Sequence, residues 1–213
     1  MFSQLRQDFP TLDTENPPVY LDNACMTLRP KPVIEAIKSY YEQSPGCGGR
    51  SVHRYATTVS RKMMDCRKKM AELFNARESN EIIFTKNATH SLNQVAKGLS
   101  WEKGDVVLTT DREHNSNLVP WLQLEEEQGI DHRVIKSNDD NTFNLENFEN
   151  ACVEAGNNLK MVSLSHVGNL DGIATPVKEA TKIAKDFGAL VCIDGAQSTP
   201  HMKVDVQDLG IDF

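Results

Sequence analysis

The sequence predicts a three-layer α/β/α domain built on a mostly parallel sheet. Three observations carry that prediction. Short apolar runs alternate with amphipathic stretches from residue 81 onward, the runs are apolar at successive positions, and a polar, small-residue turn follows nearly every run. Alternating strand and helix favours parallel pairing through helical crossovers, and a strand apolar on both faces must be covered on both.

Taken in order, residues 1–30 read as an irregular amino-terminal segment marked by Pro10, Pro17 and Pro18, with a short extended piece at 19–22. A helix is expected over 32–43, where Val33, Ile34, Ile37 and Tyr41 recur at helical spacing and Pro32 suits a first turn. The stretch "SPGCGGR", 44–50, interrupts the pattern. A longer helix follows over 52–75, with Val59, Met63, Cys66, Met70 and Leu73 on one face. Strands are then expected at 81–85, 105–110, 132–136, 160–165 and 189–194, separated by helices at 89–100, 116–128, 145–154 and 176–187. Residues 31–213 are therefore read as one layered domain.

A chain of 213 residues is long enough for one large domain with a true core. Its net charge of −7 offers no basic surface for nucleic acid. The five cysteines, at 25, 47, 66, 152 and 192, form no CxxC pair, and the six histidines do not supply zinc-site spacing. They read as reduced intracellular thiols, with no metal expected. The amino terminus lacks a basic-then-apolar signal, and no run approaches a membrane span. A cytoplasmic protein without a membrane partner is expected.

Open α/β sheets bind ligands beyond the carboxyl ends of their strands, so the turns after the strands are the place to look for chemistry. They read "KNATHS", "DREHNSN", "HVGNLDG" and "GAQS". In the first, Asn87, Ala88 and Thr89 open a helix, whose free N–H groups and dipole suit an anion; a simple N-cap gives the same pattern. No Walker-type phosphate loop or dinucleotide fingerprint occurs. His114 could serve as a base, a ligand or a flat surface for an aromatic ring. Asn169 is a two-way hydrogen-bonding group beside Gly168 and Gly172, in a place where turn residues are common. Asp194 ends an apolar strand, and a carboxylate there is costly unless a cation or good donors meet it. Gln197 faces the same space if the chain turns after it. A phosphorylated, flat, hydrogen-bonding heterocycle would satisfy all four turns, a description that fits pyridoxal phosphate.

The chain resembles the class V aminotransferase family of fold type I pyridoxal-phosphate enzymes, and within it the cysteine desulfurase and selenocysteine lyase branch. The resemblance runs through "YLDNA" (20–24), "VHRYA" (52–56), "EIIFTKNATHSLNQVA" (81–96), "EHNSNLVPW" (113–121), "SHVGNLDGIATPV" (165–177) and "DGAQSTPHMKVDVQDLGIDF" (194–213). It implies that Ala88 and Thr89 lie on the phosphate turn. His114 falls on the ring-stacking position, with a role in proton transfer open to it. Asn169 and Gln197 fall near the phenolic oxygen, and Asp194 on the pyridinium partner. Two positions depart from the family pattern: Asn87-Ala88-Thr89 stands where Gly-Thr-Thr is common, and Ile173 where the desulfurase branch has Thr.

The implied activity is removal of sulfur from L-cysteine to give alanine and a persulfide, passed to a sulfur-acceptor protein, in a homodimer. Other class V activities, namely aminotransferase, kynureninase-like and epimerase-like, share these amino-terminal motifs. The family's Schiff-base lysine sits roughly two dozen residues past the aspartate, which would fall beyond Phe213. Lys203 lies in a segment matching a non-catalytic family run, and none of the five cysteines matches the family's nucleophile. The chain is thus expected to be an amino-terminal fragment without the small carboxyl-terminal domain, inactive alone, or else a non-catalytic scaffold or binding domain.

Overall fold

The computed structural model describes residues 2–213, which gather into two compact units divided between residues 69 and 70. The first unit holds a short helix α1 (Phe2–Arg6), the helix α2 (Lys31–Gln43) and most of α3 (Arg54–Phe74). Pro32 sits at the start of α2, where its fixed φ and missing N–H cost nothing. α1 interrupts the stretch expected to be irregular. α2 buries none of its residues, and the apolar stripe expected along α3 is mostly open, with Met63 41% and Leu73 61% exposed.

The second unit carries the sheet. Helix α4 (Ala88–Gly98) precedes strand β1 (Val106–Thr110), and α5 (Asn115–Gln128) leads to β2 (Asp131–Ile135). Helix α6 (Leu145–Ala155) leads to β3 (Leu159–Ser165), α7 (Val177–Asp186) to β4 (Leu190–Asp194), and α8 (Val206–Leu209) follows. The strand order is β2-β1-β3-β4, and every pairing is parallel. Thr110 stands opposite Ile135 and Ser165 opposite Asp194, so the strand ends line one edge.

Successive residues of each strand serve opposite faces, as the pleat requires. Leu108, Val162 and Val191 pack with Phe148 and Cys152 of α6 and Ala184 of α7. Val107, Met161 and Cys192 pack with Ala96 of α4 and with Trp121 and Leu124 of α5. This is the three-layer arrangement that the doubly apolar strands demanded. Gly129 closes α5 at φ 73°, a left-handed conformation that favours glycine.

One expected strand does not form. Residues 82–85 are outside any ladder, although Ile82 has extended dihedrals. The outer edge of β4 is instead lined by Asp212 and Phe213, through bonds from Asp212 N to Val191 O (2.9 Å) and from Ile193 N to Phe213 O (3.0 Å). Ile83 and Thr85 face a cavity beside Phe213, and Ile83 is 72% exposed.

Phe148 is fully buried and pins α6 to the sheet. Its replacement by Ala is expected to cost about 3–5 kcal/mol of stability, read as a lower urea midpoint at unchanged slope. A loss under about 1 kcal/mol would mean that this face is not a packed core.

Candidate functional site

The chain runs from β1 outward to β2, crosses back to β3 and continues to β4, so the direction of winding reverses between β1 and β3. The loops leaving those two strands diverge and open a crevice at their carboxyl ends. The sequence-predicted residues Asn169, Asp194, Gln197 and His114 all lie on loops or strand ends at this edge.

Asn87 is the N-cap of α4, its side-chain oxygen accepting from His90 N at 2.9 Å. That bond and the one from Ser91 N to Asn87 O account for the third and fourth amides of the turn. The N–H groups of Ala88 and Thr89 come before them, at the end of the helix where amides lack intrahelical partners. Thr89 is exposed, and its carbonyl accepts from Asn93 Nδ2.

Asp194 ends β4 at 7% exposure. Its carboxylate accepts from Ala196 N at 3.0 Å and forms no ion pair among the described residues. The turn that follows closes through Thr199 N to Gly195 O, and a Cβ at Gly195 would come within 3.1 Å of the Thr199 methyl. Ala88 and Asp194 share the wall of one cavity of about 370 Å³, with His166 beside them. The structure thus brings the helix start and the strand-end carboxylate together. Thr89, His114, Asn169 and Gln197 are not part of that lining.

His114 caps α5. Its Nδ1 accepts from Ser116 N at 3.1 Å and lies 2.7 Å from Ser116 Oγ. An accepting Nδ1 places the ring hydrogen on Nε2. Asn169 is exposed at the tip of a loop closed by Gly168 N to Ile173 O and Gly172 N to Gly168 O. A Cβ at Gly168 would come within 2.4 Å of Asp171 Oδ1, so any larger residue here obliges the Asp171 side chain to move. Gln197 is half-buried within the turn after Asp194.

Three further features escaped the sequence reading. Arg112 donates to Asn141 and to the Asp171 carboxylate, linking the loops that follow β1, β2 and β3. The buried His166 leaves Nδ1 without a hydrogen-bond partner among the described residues, and desolvation lowers its pKa. Glu113 accepts three side-chain bonds, each 2.7 Å long, from Thr110, Asn117 and Ser165. Hydroxyl residues at the ends of otherwise apolar strands (Thr109, Thr110, Ser163, Ser165) are the signal that could have revealed this cluster. The thiol of Cys192, on the same cavity wall as Asp194, is pushed up to about 12 by burial, which makes it a poor nucleophile. Among the described residues no cluster of His, Cys, Asp or Glu is placed to hold a metal, and no helix is long and apolar enough to cross a membrane.

The family model for aminotransferase class-V matches residues 19–213. A probable cysteine desulfurase of Methanothermobacter thermautotrophicus is 39% identical over 209 residues, covering 98% of this chain and 50% of that protein. The apo structure of cysteine desulfurase from Thermococcus onnurineus NA1 superposes with a TM-score of 0.90 at 37% identity, over 99% of this chain and 51% of its own. A C-DES variant with glycine covalently linked to its PLP cofactor gives a TM-score of 0.83 at 25% identity, over 97% of this chain and 53% of its own. The chain spans about half the length of the relatives it matches.

Desolvation raises the Glu113 carboxyl above its ordinary value of 4.5, against the lowering effect of its three donors. The folded chain therefore holds this proton more tightly than the unfolded chain. The linked stabilisation is full below 4.5 and is lost as pH rises through the raised value. Urea unfolding between about pH 4 and 8 is expected to show the chain losing stability relative to Glu113→Gln as pH rises. A gap that is flat with pH, or that widens in favour of Glu113, would contradict a desolvated carboxyl.

Proposed function

Because this chain belongs to the aminotransferase class-V family, we propose that it forms the cofactor-holding part of a pyridoxal 5′-phosphate enzyme that removes sulfur from L-cysteine. The observation that carries this reading is Asp194. It is a buried carboxylate without an ion pair, on the same cavity wall as a helix start. Such an acceptor is costly unless it meets a cation, and a protonated ring nitrogen is one.

Ala88 and Asp194, which share the cavity wall, fit the group. The Ala88 and Thr89 amides would donate to its phosphate, with the helix dipole adding attraction. Asp194 would accept from the ring nitrogen and keep it protonated. Bound there, the cofactor supplies an electron sink for the pair released at a substrate Cα bond. His114 would meet the ring face, its orientation fixed through Nδ1 and its Nε2 hydrogen left available to hold or pass a proton. Asn169 and Gln197 would address the phenolic oxygen. Cysteine as substrate is supported by the desulfurase relatives, among them the Methanothermobacter thermautotrophicus protein at 39% identity. The reading extends to a cytoplasmic homodimer with a sulfur-acceptor protein as partner.

The test is direct binding of 4′-deoxypyridoxine 5′-phosphate, which lacks the aldehyde and cannot react with lysine. The chain is expected to bind it, and Asp194→Ala to weaken binding roughly tenfold to a hundredfold, the range of a charge-assisted hydrogen bond. Equal affinity in the two proteins would remove Asp194 from the site. No binding by the unmodified chain would remove the proposal.

A further inference from the structure

We propose that Glu113 is a positioning residue that acts through His114, holding its imidazole in the orientation from which it meets the cofactor ring. This inference rests on the pyridoxal-phosphate reading for the purpose of the orientation, but the clamp itself is made by the chain's own residues. Glu113 lies at the crevice between β1 and β3, where the winding reverses. Its Oε1 accepts from Thr110 Oγ1 at the end of β1, and its Oε2 accepts from Asn117 Nδ2 of α5 and from Ser165 Oγ at the end of β3. One carboxylate therefore ties together both walls of the crevice and the first turn of the helix that His114 caps.

The same first turn fixes His114. Ser116 N donates to its Nδ1, and Asn117 N donates to its carbonyl at 2.8 Å. Asn117 is fully buried and held in turn by Ser163 Oγ, which donates to Asn117 Oδ1 at 2.5 Å. The chain of contacts thus runs from Glu113 through Asn117 to the helix start and the imidazole. Removing Glu113 leaves the Asn117 amide, a buried donor, without its acceptor, and the turn is then free to shift. No lysine or arginine pairs with Glu113 among the described residues, so a desolvated carboxylate is kept here without the usual compensation. An apolar side chain would fill this place at lower cost. What it could not do is bind three donors from three elements at once.

The test is a double-mutant cycle with 4′-deoxypyridoxine 5′-phosphate as probe, using the unmodified chain, Glu113→Ala, His114→Ala and the double variant. Glu113→Ala is expected to weaken binding about tenfold, the scale seen when the partner of a ligand-holding side chain is removed. In the His114→Ala background the same change should have no further effect. Glu113→Gln, which can still accept from Asn117 and Ser165, should stay within about threefold of the unmodified chain. Ser165→Ala, which removes one donor at little risk to folding, takes the place of Glu113→Ala if that variant does not fold.

A second readout needs no ligand. Long-range proton–nitrogen NMR of the His114 imidazole should show a single Nε2–H tautomer in the unmodified chain. In Glu113→Ala, or in Ser165→Ala, the signals should move toward tautomer averaging. If the unmodified chain does not bind the probe, the functional reading fails and the imidazole spectra alone decide this inference. Equal losses in both His114 backgrounds, or an imidazole spectrum untouched by either substitution, would overturn it.

Discussion

The structure depends on the parallel pairing of β1, β3 and β4. Because the strands point one way, every loop that follows a strand is delivered to the same edge of the sheet. The register then fixes what stands beside what: Ser165 is opposite Asp194, and the Thr110 and Ser165 hydroxyls both reach the Glu113 carboxylate. Parallel pairing also obliges each crossover to be a helix, which brings a new helix start, and its exposed amides, back to that edge. Helix dipoles, caps and strand-end carboxylates thereby accumulate in one place without any of them being close in sequence.

Burial gives the edge its chemistry. Asp194 and the Glu113 carboxylate are both withdrawn from water, yet by different means. Glu113 is met by three neutral donors and is spoken for within the fold. Asp194 has a backbone amide and no ion pair, and it stands on a cavity wall. The first carboxylate ties elements of the chain together; the second lines a cavity. That division of labour between two acids is the reason for assigning Asp194 to the cofactor and Glu113 to the side chain beside it.

Much of this was legible in the sequence. β1, β3 and β4 were readable because each is a run apolar on both faces, and a parallel sheet covered by helices is the fold that buries such runs; β2, which opens Asp131-His132-Arg133, was readable only from its place between two helical stretches. The places of Asp194 at a strand end and of Ala88 and Thr89 at a helix start were readable, because such ends have local signatures. What was not legible is what depends on distant partners. Residues 82–85 have strand composition but lie outside the four-stranded sheet, and the outer edge of β4 is lined by Asp212 and Phe213. The Glu113 cluster joins residues 113 and 165 across two strands, and no local pattern around "DREHNSN" announces it. The stripe along α3 was read from spacing as one helix face, and most of it is exposed.

The central claim is that Asp194 holds a protonated ring nitrogen. The most direct measurement is the nitrogen-15 NMR shift of 4′-deoxypyridoxine 5′-phosphate, labelled at the ring nitrogen and bound to the chain. The account predicts a pyridinium-type shift that persists at pH values where the free probe has lost its proton, with Asp194→Asn returning it to the neutral type. A neutral pyridine shift on the unmodified chain, or the same shift in both proteins, would contradict it.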